Sequence, residues 1–467
     1  MEHLKIRIDR LSVNDIKCVA SGHIDFNAID ALRQEKASIM GIYGQNGSGK
    51  TVVIESLSIL KSILSGQQIS SRYFESIAIG KKSGCLEIVF SVIGNENSDC
   101  IVTYKCELGL RENPNENTMK NGAEMKATPD SIIAVTSESL KISGLVNDEY
   151  YSRQYIAQTD ETQKLIRPKQ KCRLLFGSND DTLKRLERQK ILALYGSRSF
   201  IFSNQAAEVI EDNCKNNFGF IINSIRLFAT ARLFIVGGET QSEIPFPFNF
   251  VIETKNRGFA GQIPFSLESK TLLPKEILAV FESFVRPLNL VLSSIIPGLS
   301  IVYKTQKASL DEKDSAYEIE LFASRDQVCD FPLRHESLGI KKMISFLTLL
   351  IATYNDAGHV LAVDEFDSSI FEFLLGELMS IIKDSGRGQL IFTSHNLRPL
   401  EKLDDSSICF TTAEPNNRYI TIKKKATNNL RDIYFRLISL GNDNYELYSS
   451  ESKNAIAFAF SQAGREE

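Results

Sequence analysis

One stretch limits what this chain can become more than any other: Gly44-Gln45-Asn46-Gly47-Ser48-Gly49-Lys50-Thr51. An apolar run, residues 38–43, precedes it. Val52, Val53, Ile54, Leu57, Leu60, Ile63 and Leu64 follow, spaced to fill one broad face of a helix. Strand, glycine loop and helix is the context in which G-x-x-x-x-G-K-[ST] cradles phosphate. The glycines let backbone N–H groups curl around an anion with no Cβ in the way, and the helix adds its positive N-terminal end. In that pattern Lys50 reaches the β- and γ-phosphates and the Thr51 hydroxyl ligates Mg²⁺. The chain is therefore expected to bind ATP with magnesium.

A second signal lies far downstream. Val360-Leu361-Ala362-Val363 is an apolar strand ending in Asp364-Glu365. The first acid is placed to hold Mg²⁺, directly or through water. The second is placed beside the γ-phosphate, to polarise water. Alone, such a strand end is an ordinary pair of solvated acids; after a phosphate loop in the same chain it gains meaning.

The rest of the chain fits an α/β core. Leu4, Ile6 and Ile8 alternate with charges, and residues 86–92, 101–110 and 132–140 read as strands, with an exposed polar loop over 111–130. Periodicity turns helical from about 178 to 235. Residues 237–271, rich in Gly, Pro, Phe and Ser, read as a connector, and 274–292 as a helix. In the last third, buried strands at 359–363 and 390–393 alternate with helices at 341–354 and 369–383. Near-continuous apolar strands between helices predict a mostly parallel sheet, here joined by antiparallel strands. The expected division is an N-terminal half of the core (1–164), a helical insertion and dimerisation arm (165–300), and a C-terminal half (301–467).

Composition narrows the partners. Lys plus Arg is 54 and Asp plus Glu is 58, a net charge of −4, so the chain does not coat nucleic acid by charge alone. Two basic runs, at 167–173 with Arg153 and Lys164 nearby and at Lys423-Lys424-Lys425, leave local nucleic-acid contact open. Eight cysteines without a C-x-x-C pair, and five histidines, argue against a zinc site and for free thiols in a reducing compartment. Charges break the N-terminal residues at every second position. The apolar stretch at 343–354 is too short for a bilayer. A cytoplasmic protein without a membrane partner is the expectation.

Three further motifs carry a resemblance. Glu336-Ser337-Leu338-Gly339-Ile340-Lys341 resembles a degenerate signature loop of ABC-type ATPases, Phe366-Asp367-Ser368-Ser369 resembles their D-loop, and Leu390-Ile391-Phe392-Thr393-Ser394-His395 resembles the strand that ends in their switch histidine. Phosphate loop, signature, acids, histidine is the order of that superfamily. About 280 residues separate loop and signature, which is similar to the SMC/Rad50-like branch and most of all to the OLD-type and abortive-infection ATPases of bacteria. The signature is not complete, so only Ser337 and Gly339 carry over. Ile370 and Phe371 stand where many relatives have histidine. No acidic TOPRIM-like nuclease constellation follows His395. The Q-loop glutamine has two candidates, Gln154 and Gln158.

The resemblance implies a mechanism. ATP and Mg²⁺ sit at Gly44–Thr51 with Asp364, Glu365 activates water, and His395 contacts the γ-phosphate. Ser337, Gly339 and Asp367 act across a head-to-tail homodimer, alone or within a higher oligomer. It further implies a switch in bacterial anti-phage defence that controls a separate effector, a nuclease or toxin. Two other readings stay open at this stage: an ATP-gated scaffold with negligible turnover, and a Rad50-like DNA-end-processing ATPase.

Overall fold

The computed structural model describes residues 4–94, 97–112, 131–213, 216–237, 247–254, 259–308, 316–325, 328–422, 430–440 and 453–463. A long strand β1 (Lys5–Ile16) turns through Lys17 and Cys18 into β2 (Val19–Asp25). Helix α1 (Ala28–Arg33) leads to β3 (Ser38–Tyr43) and α2 (Lys50–Leu64). Then come β4 (Ser83–Ile93), β5 (Asp99–Glu112), β6 (Ser131–Val146) and β7 (Glu149–Asp160), followed by α3 (Lys169–Phe176), α4 (Asp180–Tyr195), α5 (Asn204–Asn213) and α6 (Asn217–Leu227). The middle continues through β8 (Leu233–Val236), β9 (Pro247–Thr254), β10 (Phe259–Ser266), β11 (Thr271–Pro274), α7 (Lys275–Ile295), β12 (Leu299–Lys307), β13 (Ala316–Arg325) and β14 (Val328–Pro332). The last part holds α8 (Leu338–Asn355), β15 (Val360–Val363), α9 (Glu372–Ser385), β16 (Gln389–Thr393), α10 (Pro399–Lys402), β17 (Ile408–Thr411), β18 (Tyr419–Ile420), α11 (Leu430–Leu440) and α12 (Lys453–Ala463).

Two six-stranded sheets dominate this mixed α/β fold. One is antiparallel, in the order β2-β1-β4-β5-β6-β7; the other runs β18-β17-β3-β16-β15-β8 and is parallel except for β18. A smaller antiparallel sheet joins β11, β13 and β12, with β14 on β13, and β9 and β10 form a hairpin. The parallel strands are apolar between their ends because both faces are covered. Met40, Ile42, Val360, Ala362 and Ile391 face the core shared with α2 and the antiparallel sheet. Their neighbours Ile39, Tyr43, Leu361, Val363, Leu390 and Phe392 face the core shared with α7, α8 and α9.

The two sheets are tied by polar side chains as well. Arg7 on β1 is fully buried and donates from Nε to the Ala357 carbonyl at 2.9 Å, and also to the Arg387 carbonyl. Burial lowers its pKa to about 10. The Gln389 amide accepts from the Ile8 N–H at 2.9 Å and donates to its carbonyl at 2.7 Å, replacing a ladder pair where β1 passes β16.

The middle of the chain differs from its sequence-based reading. Residues 165–300 are not helical throughout: α3 to α7 alternate with β8 to β11 and the start of β12. β8 is the edge strand of the parallel sheet, paired with β15. Four apolar residues directly after a helical run carry no period of their own. The connector at 237–271 holds the β9–β10 hairpin; Pro247 and Pro264 argued against strands there, yet a two-stranded ribbon tolerates proline. α7, not the 343–354 stretch, is the one helix among the described residues long and apolar enough to cross a membrane by length and composition. It is amphipathic: Phe281, Val285, Leu288 and Leu292 are buried against the core, while Glu282, Ser283 and Arg286 are exposed. The loop at 111–130 falls largely, and Lys423 to Lys425 fall wholly, outside the described residues.

Candidate functional site

The phosphate-type loop leaves the end of β3 near the middle of the parallel sheet and enters α2. Gly44 takes φ +155°, and a Cβ there would come within 1.8 Å of the Thr411 hydroxyl oxygen, so no other residue fits. Gly47 and Gly49 also have positive φ, at +77° and +98°. Gly49 caps α2 with no side chain across the helix end, which leaves the first-turn N–H groups facing outward as an anion site. Lys50, the first helical residue, is 7% exposed and folds back to donate from Nζ to the carbonyls of Gly44 at 2.8 Å and Gln45 at 3.0 Å. Burial lowers its pKa, while Asp364, Glu365 and Asp367 pull it back up.

Strand β15 delivers the acids to the same end of the sheet, with β16 between it and β3. Asp364 is buried. Its N–H donates to the Val236 carbonyl at 2.7 Å, and Gly237 packs so close behind that a Cβ there would lie 2.2 Å from the Asp364 Cβ. Asp364 Oδ1 accepts from the Thr393 hydroxyl and lies 3.4 Å from the Thr51 hydroxyl. The Thr393 hydroxyl also accepts from the Glu365 N–H at 2.8 Å. Glu365 sits in the left-handed region, at φ +50°, with an exposed side chain. Asp367 Oδ2 accepts from the N–H groups of His395 at 3.1 Å and Asn396 at 2.9 Å, which fixes the turn that presents His395.

These segments meet in one pocket of about 300 Å³. Asn46, Gly47, Gly49, Lys50 and Thr51 form one wall, and Asp364, Glu365, Thr393 and His395 another. Lys17 and Cys18, at the β1–β2 turn, and Glu55 on α2 complete it; Lys17 and Glu55 form an ion pair at 2.6 Å. Sequence reasoning singled out none of these last three, nor Thr393 as a second partner of both acids. For Thr393 a signal was present, because it ends the strand that carries His395. A second cavity, of about 280 Å³ between β6 and α4, has its Lys190 ammonium satisfied by the carbonyls of Asp160 and Gln163.

The pocket suits a magnesium polyphosphate. Among the described residues, no three or more His, Cys, Asp or Glu side chains are grouped so that they could hold a metal ion by themselves. The Thr51–Asp364 pair offers a hydroxyl and a carboxylate, the sparse oxygen set that Mg²⁺ uses when water and phosphate supply the rest.

Ser337 and Gly339 do not line this pocket. Ser337 is exposed and caps α8, accepting from the Ile340 N–H at 3.3 Å; Gly339 has open space where a Cβ would stand. Gln154 and Gln158 lie on β7 and do not line it either; Gln154 accepts from Lys171 at 2.9 Å, and Gln158 forms a bridge with Arg167. Arg153, Lys164, Arg167, Lys169 and Arg173 are exposed, and Lys171 sits 3.6 Å over the Phe218 ring. The described cysteines are free.

No family model and no curated protein sequence matches the chain. Solved structures do align with it. The SmcHead bound to the C-winged helix domain of ScpA gives a TM-score of 0.44 at 13% identity, over 89% of this chain and 98% of that one. The SMC head domain from Thermotoga maritima gives 0.36 at 12%, over 90% and 100%. The recombination mediator RecF with ATP gives 0.33 at 10%, over 84% and 94%. Likenesses of this size leave the functional case to the geometry of the site.

Proposed function

We propose that this chain is a MgATP-dependent switch ATPase of the ABC type. One observation supports it above the others: segments more than 300 residues apart, the loop with Lys50 and Thr51 on one side and Asp364, Glu365 and His395 on the other, line a single pocket. Loop N–H groups and the α2 N-terminus bind the phosphates, and Lys50 exchanges two carbonyls for phosphate oxygens. Thr51 and Asp364 hold the metal. When bound, Mg²⁺ neutralises charge on the phosphates. Glu365, its backbone pinned by Thr393, orients and deprotonates water, and His395 contacts the γ-phosphate. Acceleration comes from positioning and charge stabilisation.

In this reading the exposed Ser337, the half-buried Gly339 and Asp367 complete the site of a second copy, so ATP closes a head-to-tail dimer and hydrolysis reopens it. The use of that cycle, control of a separate nuclease or toxin in anti-phage defence, is supported by the sequence resemblance alone. A co-purifying nuclease or toxin, released or activated by nucleotide, is the observation that tests it.

The core of the proposal is tested by two variants. Lys50→Ala abolishes MgATP binding. Glu365→Gln keeps binding, lowers turnover about 100-fold or more, and accumulates as an ATP-dependent dimer in light scattering. Turnover by Glu365→Gln at the wild-type rate sinks the assignment of the base.

A further inference from the structure

The C-terminal strands β17 and β18 touch the phosphate loop at two points. Thr411 on β17 is fully buried, and its hydroxyl bonds the Ser48 hydroxyl and lies 3.3 Å from the Tyr43 carbonyl oxygen. Ser48 Oγ also lies 2.6 Å from the Gln45 carbonyl oxygen, and each hydroxyl can be the donor in the Ser48–Thr411 pair. Tyr419 on β18 is 5% exposed and donates its hydroxyl to the Gly49 carbonyl at 2.9 Å. Burial holds that phenol well above its ordinary pKa, so it remains a donor. Between them, Arg418 donates to the carbonyls of Thr412 and Cys18, each at 2.7 Å, and so ties the same hairpin to the turn that walls the pocket.

A loop with three glycines at positive φ has much conformational freedom to lose. If a ligand alone ordered it, that entropy would subtract from affinity. Here the loop is held at Ser48 and at Gly49 by side chains 363 and 370 residues downstream. Neither Thr411 nor Tyr419 lines the pocket. Both act on the loop's shape and not on a ligand.

We propose that Thr411 and Tyr419 are positioning residues that preset the phosphate loop, so that the C-terminal hairpin determines how tightly the loop grips a polyphosphate. This rests on reading the loop as a phosphate site. The test titrates MgATP and magnesium tripolyphosphate by calorimetry into wild type, Tyr419→Phe, Thr411→Val, Thr411→Ser and Lys50→Ala, with steady-state hydrolysis alongside. Tyr419→Phe and Thr411→Val raise Kd for both probes, and KM with it, by about 3- to 10-fold, with kcat and binding stoichiometry kept; Thr411→Ser restores the wild-type Kd. A merely structural role lowers the melting temperature and the binding-competent fraction but leaves the Kd of that fraction unchanged, which overturns the proposal. If Thr411→Val does not fold, Tyr419→Phe decides. Wild-type Kd in the variants while Lys50→Ala fails to bind overturns this proposal alone; absence of binding by the wild type overturns the reading of the loop as well.

Discussion

Lys50 carries a cost that its role explains. Burial lowers its pKa below 10.5, with the three nearby carboxylates only partly offsetting it. An ammonium that grips phosphate only while charged makes the association constant fall as pH rises through its free-state pKa. MgATP affinity therefore begins to fall at a lower pH than an exposed lysine would give, at up to about tenfold per pH unit. Calorimetric Kd values across the alkaline range check this. A flat profile up to the ordinary lysine pKa contradicts it. At this scale the sequence told most about residues whose type is dictated by chemistry: Lys50, Thr51, Asp364, Glu365 and His395 line one pocket, and the Gly44 carbonyl accepts from Lys50. Lys17, Glu55 and Gly237 stayed hidden because their type is ordinary and only folding places them. Gly237 matters because the backbone of Asp364 passes where its side chain would be, a fact no local pattern contains.

The start of α8 joins two roles in one element. Ser337 is the N-cap of that helix, accepting from the Ile340 N–H. Its exposure also suits it to meet the γ-phosphate of a second copy. Ser337→Asp separates the two. Aspartate caps a helix as well as serine, so stability changes by about 0.5 kcal/mol or less. The added negative charge opposes a phosphate, so hydrolysis is lost. Thermal melts and phosphate release read out the two halves, and normal ATP hydrolysis by the Ser337→Asp variant would reduce Ser337 to a cap. Element by element, legibility followed period and length. β4 and β5 alternate against one core over most of their length, the starts of β1 and β6 carry enough apolar residues to be read, and β3, β15 and β16 are short apolar runs closed by polar residues, so all were readable. β8 and the β9–β10 hairpin were not: one is a four-residue run behind a helix, the other carries prolines that a strand seldom holds. α7 was readable as a helix at 274–292, because its apolar residues keep one face while Glu276, Glu282 and Arg286 fall on its outer face.

At the scale of the whole molecule, the parallel sheet brings loop, acids and histidine to one edge, because parallel strands all end on the same side and their crossovers lie behind. Ser337 and Gly339 stay off that pocket, although they belong to the same motif set. A site built across two copies reconciles the two facts, and mixing two dead proteins tests it. Lys50→Ala lacks the loop cation but keeps Ser337; Ser337→Asp keeps the cation but blocks the opposing contact. In a head-to-tail dimer of one of each, one of the two sites regains Lys50 from one chain and Ser337 from the other. Equal mixing, with half the dimers mixed and one site live in each, restores about a quarter of wild-type turnover. If Lys50 and Ser337 serve the same site from the same chain, every site in the mixture keeps a defect and hydrolysis stays at the level of the separate variants. Recovery that scales with the product of the two concentrations, and vanishes on dilution below the dimer dissociation constant, assigns the missing half of the pocket to a second copy.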